Sequence, residues 1–126
     1  MLWLTRNMVE AFHGESLARF GGADGIRDEG LLLGALARPE NTHAYIPEAD
    51  AFQLAAAYCT GVVKNHPFID GNKRTGALSA VVFLALNNIE VSFDEAMIVT
   101  MIYGLAAGEV SEDHLANWFR SSVVDG

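Results

Sequence analysis

Basic residues are scarce in this chain. Eight Lys and Arg stand against sixteen Asp and Glu in 126 residues, a formal net charge of -8. That balance, with a pI near 4.8, argues against general nucleic-acid affinity, which draws on a basic surface. A local basic pocket remains allowed, and the acidic excess would suit a basic partner. Cys59 is the one cysteine, so no internal disulfide can form. It lies in an apolar helical stretch without a pattern for thiolate activation, and reads as a small core residue. No apolar run reaches the ~20 residues needed to span a bilayer. The opening MLWLTRNMVEAFHG meets charge too early for a signal peptide. No repeat, low-complexity tract or linker interrupts the chain. One domain over residues 1–126 is expected, in a soluble, reducing, cytoplasmic setting without membrane contact.

Half of the chain is apolar, 51%, and the apolar residues fall at helical spacing. Thr5 is placed to cap a helix running to about Phe20, with Val9, Phe12, Ser16, Leu17 and Phe20 near one face. Gly21-Gly22 ends it. Asp28 caps a short helix through Leu31, Leu32, Ala35 and Leu36, expected to stop before Pro39. Residues 39–49 carry two prolines and read as an irregular loop or small hairpin. Asp50 caps a helix to about Asn65 that is apolar on nearly every side, as a buried helix is. A second buried helix is expected from about Asn72 to Asn87. Ile89 to Val91 reads as a short extended link. Ser92 to Glu95 reads as a capping box, with Ser92 as the cap. Ile98, Met101, Ile102 and Leu105 follow on that helix, which Gly108 ends. Ser111 caps a last helix with Leu115, Trp118 and Phe119. Trp3, Trp118, the phenylalanines and the run Leu31 to Leu33 read as packing. His13, His43 and His114 are too scattered for a metal set and read as surface or satisfied residues. The sum is an all-α bundle of about six helices.

HPFIDGNKRT, His66 to Thr75, sits between the two buried helices. Pro67 blocks continuation after His66, and Phe68 is expected to pin the loop in the core. Asp70-Gly71 signals a turn, and Asn72 can cap the next helix. A helix start offers unpaired N–H groups and a dipole that favours anions. Gly71 leaves room for close approach. Lys73 and Arg74 are the wrong sign for a first helical turn, where acids are favoured. Breaks of local rules are expected at functional sites, and a bound polyanion such as ATP resolves this one. Histidine exchanges protons near neutral pH, so His66 is a candidate general base. An aspartate beside phosphates is a natural Mg²⁺ ligand, which assigns that ion to Asp70. Lys64 lies near enough to reach a substrate phosphate, although at a helix C-terminus it is also simply favourable to the dipole. The loop thus holds the parts for phosphoryl or nucleotidyl transfer to a hydroxyl. A plain polar connector between core helices is the bland alternative.

HPFIDGNKR, His66 to Arg74, resembles the signature of the Fic/Doc family: His-x-Phe, then an acid, Gly or Ala, Asn, Gly or Lys, and Arg. Lys73 in the Gly-or-Lys place resembles the Doc (death-on-curing) branch of toxins. GGADGIRDEGLLLGALARPEN, LAAAYCTGVVKNHPF and the closing HLANWFR extend the resemblance over most of the chain. It implies a single Fic/Doc-type catalytic domain, with His66 as base, Asp70 as metal-binding acid, and Gly71, Asn72, Lys73 and Arg74 as the phosphate turn. In typical Fic proteins a glycine stands at the place of Lys73, and AMP is transferred to a protein hydroxyl. In the Doc branch the lysine accompanies a reversed nucleotide and transfer of the γ-phosphate to a threonine of elongation factor Tu. A lysine fills space that glycine leaves open for the α- and β-phosphates. The resemblance also implies a Phd-like antitoxin folding as a helix into an apolar groove, and it puts 39–49 in the place of a substrate-clamping flap.

This chain has Ala77 where typical Fic enzymes carry a second arginine, so one phosphate contact is missing and AMP transfer is disfavoured. The tail SSVVDG faintly resembles a self-inhibitory segment, with Asp125 in its glutamate place; Ala77 offers that acid no partner. The expectation is therefore a Doc-like kinase acting on a Ser/Thr hydroxyl of the translation machinery, with ATP and Mg²⁺. The alternatives are AMP transfer by the same loop and an inactive Fic-fold binding module.

Overall fold

Ten consecutive residues, Leu54 to Val63, are buried in one helix, α3 (Ala51–Asn65). A helix without a wet face must be covered on every side, and this requirement organises the molecule. In the computed structural model, which describes residues 1–124, the other elements are α1 (Arg6–Phe20), α2 (Glu29–Tyr45), α4 (Asn72–Leu86), α5 (Glu95–Ala107) and α6 (Glu112–Ser121). Asp125, placed above in a self-inhibitory tail, lies outside the described residues. Helices α2 and α4 flank α3, α6 and α5 close its remaining sides, and α1 packs on α4. The architecture is all-α. Among the described residues, extended pairing is limited to two isolated bridges, Ile26 with Phe68 and Val91 with Val123. No helix among them is long and apolar enough to cross a membrane.

The core joins Leu54, Tyr58 and Cys59 of α3 to Leu32 of α2, Phe83 and Leu84 of α4, Leu105 of α5, and Leu115 and Phe119 of α6. Burial raises the Cys59 thiol well above its ordinary pKa, which keeps it a neutral, inert packing group. Two glycines let backbones meet. A Cβ on Gly61 would lie 3.1 Å from Ala35 Cα, and one on Gly76 would lie 3.2 Å from the Cys59 carbonyl oxygen. The close α3–α4 crossing leaves only residues 66–71 to join them, so the loop is held short against the core.

Several local expectations are corrected. Helix α2 does not stop before Pro39 but runs through it to Tyr45. Pro39 cannot donate to the Ala35 carbonyl, a penalty of about 3 kcal/mol in a helix interior. Packing outweighs it: Leu32, Ala35 and Pro39 are all buried. Beyond the proline, the Thr42 hydroxyl donates to the Arg38 carbonyl at 2.9 Å. The Arg38 guanidinium is itself tied to Glu112 of α6 at 2.7 Å. The irregular flap expected over 39–49 thus shrinks to 46–50. At α5 the cap is Asp94, accepting from the Ala96 amide at 2.7 Å. Ser92 is used elsewhere, its amide donating to the Ser122 carbonyl at 2.9 Å beside the Val91–Val123 bridge. Leu33 and Phe20 are exposed rather than packed. The remaining caps, Thr5, Asp28, Asp50 and Ser111, form as expected.

Gly61→Ala gains up to about 1 kcal/mol of helix propensity but drives a methyl into the Ala35 backbone, at about 1–3 kcal/mol. A net loss on the order of 1 kcal/mol should lower the urea midpoint; an unchanged or higher midpoint would contradict the close α2–α3 contact. Tyr58 offers a second check. Burial raises its phenol to about 12 from an ordinary 10.0, while donation from the Leu4 amide opposes the rise. Above pH 10 the unfolded chain releases this proton and the native state keeps it, so stability should fall from about pH 10 to 12. Urea midpoints across that window should fall more steeply for wild type than for Tyr58→Phe.

Candidate active site

The chain leaves α3 through His66, whose φ of 53° and ψ of 54° are left-handed. This turns the backbone off the helix axis and brings its ring to the surface. The last carbonyls of α3 would otherwise be orphaned. Arg27 satisfies them: Nε donates to the His66 carbonyl at 2.7 Å and Nη2 to that of Asn65 at 2.8 Å. The amides of Arg27 and Asp28 both donate to the Pro67 carbonyl, at 2.7 and 3.1 Å. The Ile69 amide donates to the Gly25 carbonyl at 3.0 Å. The segment from Gly25 to Asp28 is therefore a brace for the loop. Sequence reasoning gave Arg27 no role, because a brace some 40 residues away has no local spacing to betray it.

Phe68 points inward, 1% exposed. Asn72 holds it there. Its Oδ1 accepts from the Phe68 amide and its Nδ2 donates to the Phe68 carbonyl, both at 2.9 Å. This corrects the expectation that the Asn72 side chain caps α4 beside a phosphate. One side-chain amide matches both buried backbone groups of Phe68, which would cost more left unpaired than an uncapped, wet helix end. The N-cap is instead Gly71, left-handed at φ 79°, which has no side chain to offer. The first backbone bond of α4 runs from the Thr75 amide to the Gly71 carbonyl. The amides of Asn72, Lys73 and Arg74 are left without a backbone acceptor among the described residues.

Under the turn lies His13 of α1. It is 4% exposed, stacks on Phe68 with ring centroids 3.9 Å apart and planes 10° apart, and places Nε2 2.8 Å from the Asp70 carbonyl oxygen. It is satisfied, as expected, but not on the surface. His43 packs edge-on against Trp3, and His114 is exposed in the first turn of α6. Asp70 is exposed, with Oδ1 accepting from the Gly71 amide at 2.8 Å. Its Oδ2 lies 2.7 Å from where a Cβ on Gly22 would stand, and Gly22 takes a φ of 123°, so a larger residue there would be strained and would displace the carboxylate.

The loop and α5 enclose a cavity of about 320 Å³. One wall is polar, with His66, Asp70, Gly71, Asn72, Lys73 and Arg74; the other is apolar, with Ala77, Ile98, Val99, Ile102 and Tyr103. The Lys73 ammonium sits 5.2 Å from the Tyr103 ring centre, and the Arg74 guanidinium 4.3 Å from that of Phe20. The cavity brings together the loop residues that the sequence marked for chemistry, from His66 and Asp70 to Arg74. Lys64 does not join them; it is exposed on the last turn of α3 and does not line the cavity. Arg6, Arg38 and Arg120 are ion-paired with acids elsewhere. Of the other basic residues, Lys73 and Arg74 line the cavity, Arg27 braces the loop, and Arg19 lies over the same Phe20 ring as Arg74. Open helix amides, two cations, an exposed carboxylate and an exposed imidazole on one cavity can bind a polyanion and move a proton beside it.

A short helical bundle whose loop presents His-x-Phe and then an acid at a helix start has the arrangement of the Fic fold. Residues 3–84 match the Fic/DOC family. The chain is 34% identical to protein kinase doc of Escherichia phage P1 over 110 residues, 87% of this chain and 86% of that protein. It is 39% identical to toxin Doc of Mycolicibacterium smegmatis over 79 residues, 60% of this chain and 58% of that protein. The chain belongs to the Fic/Doc family, and its relatives are of the Doc type.

Removing the Asn72 clamp should cost stability as well as function. Asn72→Ala leaves two buried Phe68 groups unpaired, at about 1–3 kcal/mol each, so urea unfolding should show a loss of at least about 2 kcal/mol. Asn72→Asp keeps the acceptor and should fall between. An Ala variant within about 0.5 kcal/mol of wild type would show that the clamp is not structural.

Proposed function

We propose that this protein is a Doc-type toxin that transfers the γ-phosphate of ATP to a Ser or Thr hydroxyl of a translation factor such as elongation factor Tu. The observation that carries the reading is His66, exposed on the same cavity as the open amides of α4. In this reading the polyphosphate lies against those amides, and Lys73 and Arg74 leave the Tyr103 and Phe20 rings to meet it. Asp70 would hold Mg²⁺ with phosphate oxygens, and the ion would offset charge on the transferring group. His66 takes the proton of the acceptor hydroxyl as that oxygen bonds to the γ-phosphorus. The bond from the γ-phosphorus to the bridging oxygen breaks, and ADP leaves. The name of the phage relative, a protein kinase, favours phosphate over AMP transfer. So does the pairing of Lys73 with Ala77, which crowds one phosphate position and leaves another without a second arginine. A Phd-like antitoxin would hold the protein inactive.

Purified protein incubated with bacterial lysate and ATP labelled at either the γ- or the α-phosphate tests this. Label from γ alone on a protein band is the expected result. Label from α would establish AMP transfer instead, and none from either would favour a binding module. His66→Ala should lower γ-transfer at least about 100-fold, within the usual range for a lost general base, and abolish growth arrest on expression. Because the ring is exposed, its stability should stay within about 0.5 kcal/mol of wild type. A variant that stays toxic would remove His66 from the mechanism.

A further inference from the structure

We propose that His13 is a positioning residue of the active site: its Nε2–H fixes the Asp70–Gly71 peptide plane, and through it the Asp70 carboxylate and the amino end of α4. The inference rests on the reading that this turn receives a nucleotide phosphate, and it assigns a task to a residue outside the loop motif. The tautomer follows from the partner. A carbonyl oxygen only accepts, so the nitrogen 2.8 Å from the Asp70 oxygen carries the hydrogen. A trans peptide is planar, with its C=O and N–H pointing in opposite directions. Drawing the Asp70 carbonyl toward the His13 ring therefore aims the Gly71 N–H away from that ring. There it meets Oδ1 of Asp70 at 2.8 Å. One donor thus sets two groups: the carboxylate proposed to hold the metal, and the plane that launches α4 with its first amides open.

The imidazole is itself held in place. It is 4% exposed and lies flat on Phe68, which Asn72 fixes in turn. Gly71 completes the fit: a Cβ there would stand 3.6 Å from His13 Cδ2 and 3.7 Å from Nε2, so the turn rests directly on the ring. A histidine serving only as core filler has no need of a nitrogen aimed at the one carbonyl that precedes the phosphate turn. A phenylalanine would fill the same space and stack on Phe68 equally well.

That difference is the test. His13→Phe keeps the flat ring and removes the donor; His13→Gln keeps a donor and removes the ring. With native helix content by circular dichroism, His13→Phe should show faster hydrogen exchange at residues 69–74 and MgATP affinity weaker by about tenfold or more. His13→Gln should recover most of both. A folded His13→Phe with wild-type exchange and wild-type MgATP affinity would overturn the proposal. If His13→Phe does not fold, nitrogen NMR of the wild type decides: Nε2 must be the protonated ring nitrogen, and finding it bare sinks the idea. Wild-type protein that takes up no MgATP would sink the phosphate-transfer reading and the functional half of this one, while exchange at 69–74 would still decide whether His13 holds the turn.

Discussion

Phe68 anchors the loop wall of the cavity. Its neighbours in the loop, His66 and Asp70, are exposed, and an exposed polar loop has little of its own to hold it still. A buried aromatic ring contributes roughly 1.5–3 kcal/mol, but only where its backbone groups are also satisfied. Asn72 meets that condition with one side chain. The result is a loop with Pro67 and Phe68 inside and the exposed His66 and Asp70 on either side. Arg27 and Gly25 hold the entry, His13 holds the exit, and the Ile26–Phe68 bridge ties the two supports together. The precision that the proposed transfer to a hydroxyl would demand, about 1 Å in the reacting atoms, would thus be borrowed from the core.

Charge follows the same division. The body of the molecule is acidic, and the basic residues without an acidic ion-pair partner among the described residues include those that brace and line the loop. Two of them, Lys73 and Arg74, occupy the first turn of α4, where the helix dipole opposes them. Aromatic faces ease that conflict. Lys73 rests over Tyr103 and Arg74 over Phe20, contacts on the order of 0.5–1 kcal/mol at exposed sites. This gives a reason for Phe20, 56% exposed at the end of α1. It supports a cation against repulsion from the helix end. An anion that supplies the same compensation can take over from the rings without disturbing the packed core.

The helices were legible because their signals are local. Thr5, Asp28, Asp50 and Ser111 each precede an apolar period, and each caps the helix it was expected to cap. The loop was legible for the opposite reason: HPFIDGNKR breaks local rules, so it stands out. What the sequence hid depends on contacts distant along the chain. Pro39 reads as a stop, and only its burial makes it a continuation. Asn72 reads as a cap, and only the buried backbone of Phe68 makes it a clamp. Ser92 reads as a cap until its amide is seen pairing with Ser122. His13 and Arg27 carry no pattern at all, since their partners lie 57 and 39 residues away.

The two walls of the cavity differ in how firmly they are held. The loop wall is fixed by a buried ring and by hydrogen bonds from α1, α4 and the Gly25–Asp28 brace. The wall from α5 is fixed by a narrower seam. Only Met101, Ile102, Gly104 and Leu105 of that helix are buried, while Met97, Val99 and Tyr103 are about half exposed or more. Regions with few buried apolar contacts open at lower free energy than a core. The candidate catalytic groups therefore sit on the rigid side and the adaptable apolar surface faces them. That distribution would suit the proposed reaction, in which a phosphate is held in one geometry while a hydroxyl arrives on something much larger. Shape can be accommodated along α5 without moving His66, Asp70 or the amides of α4.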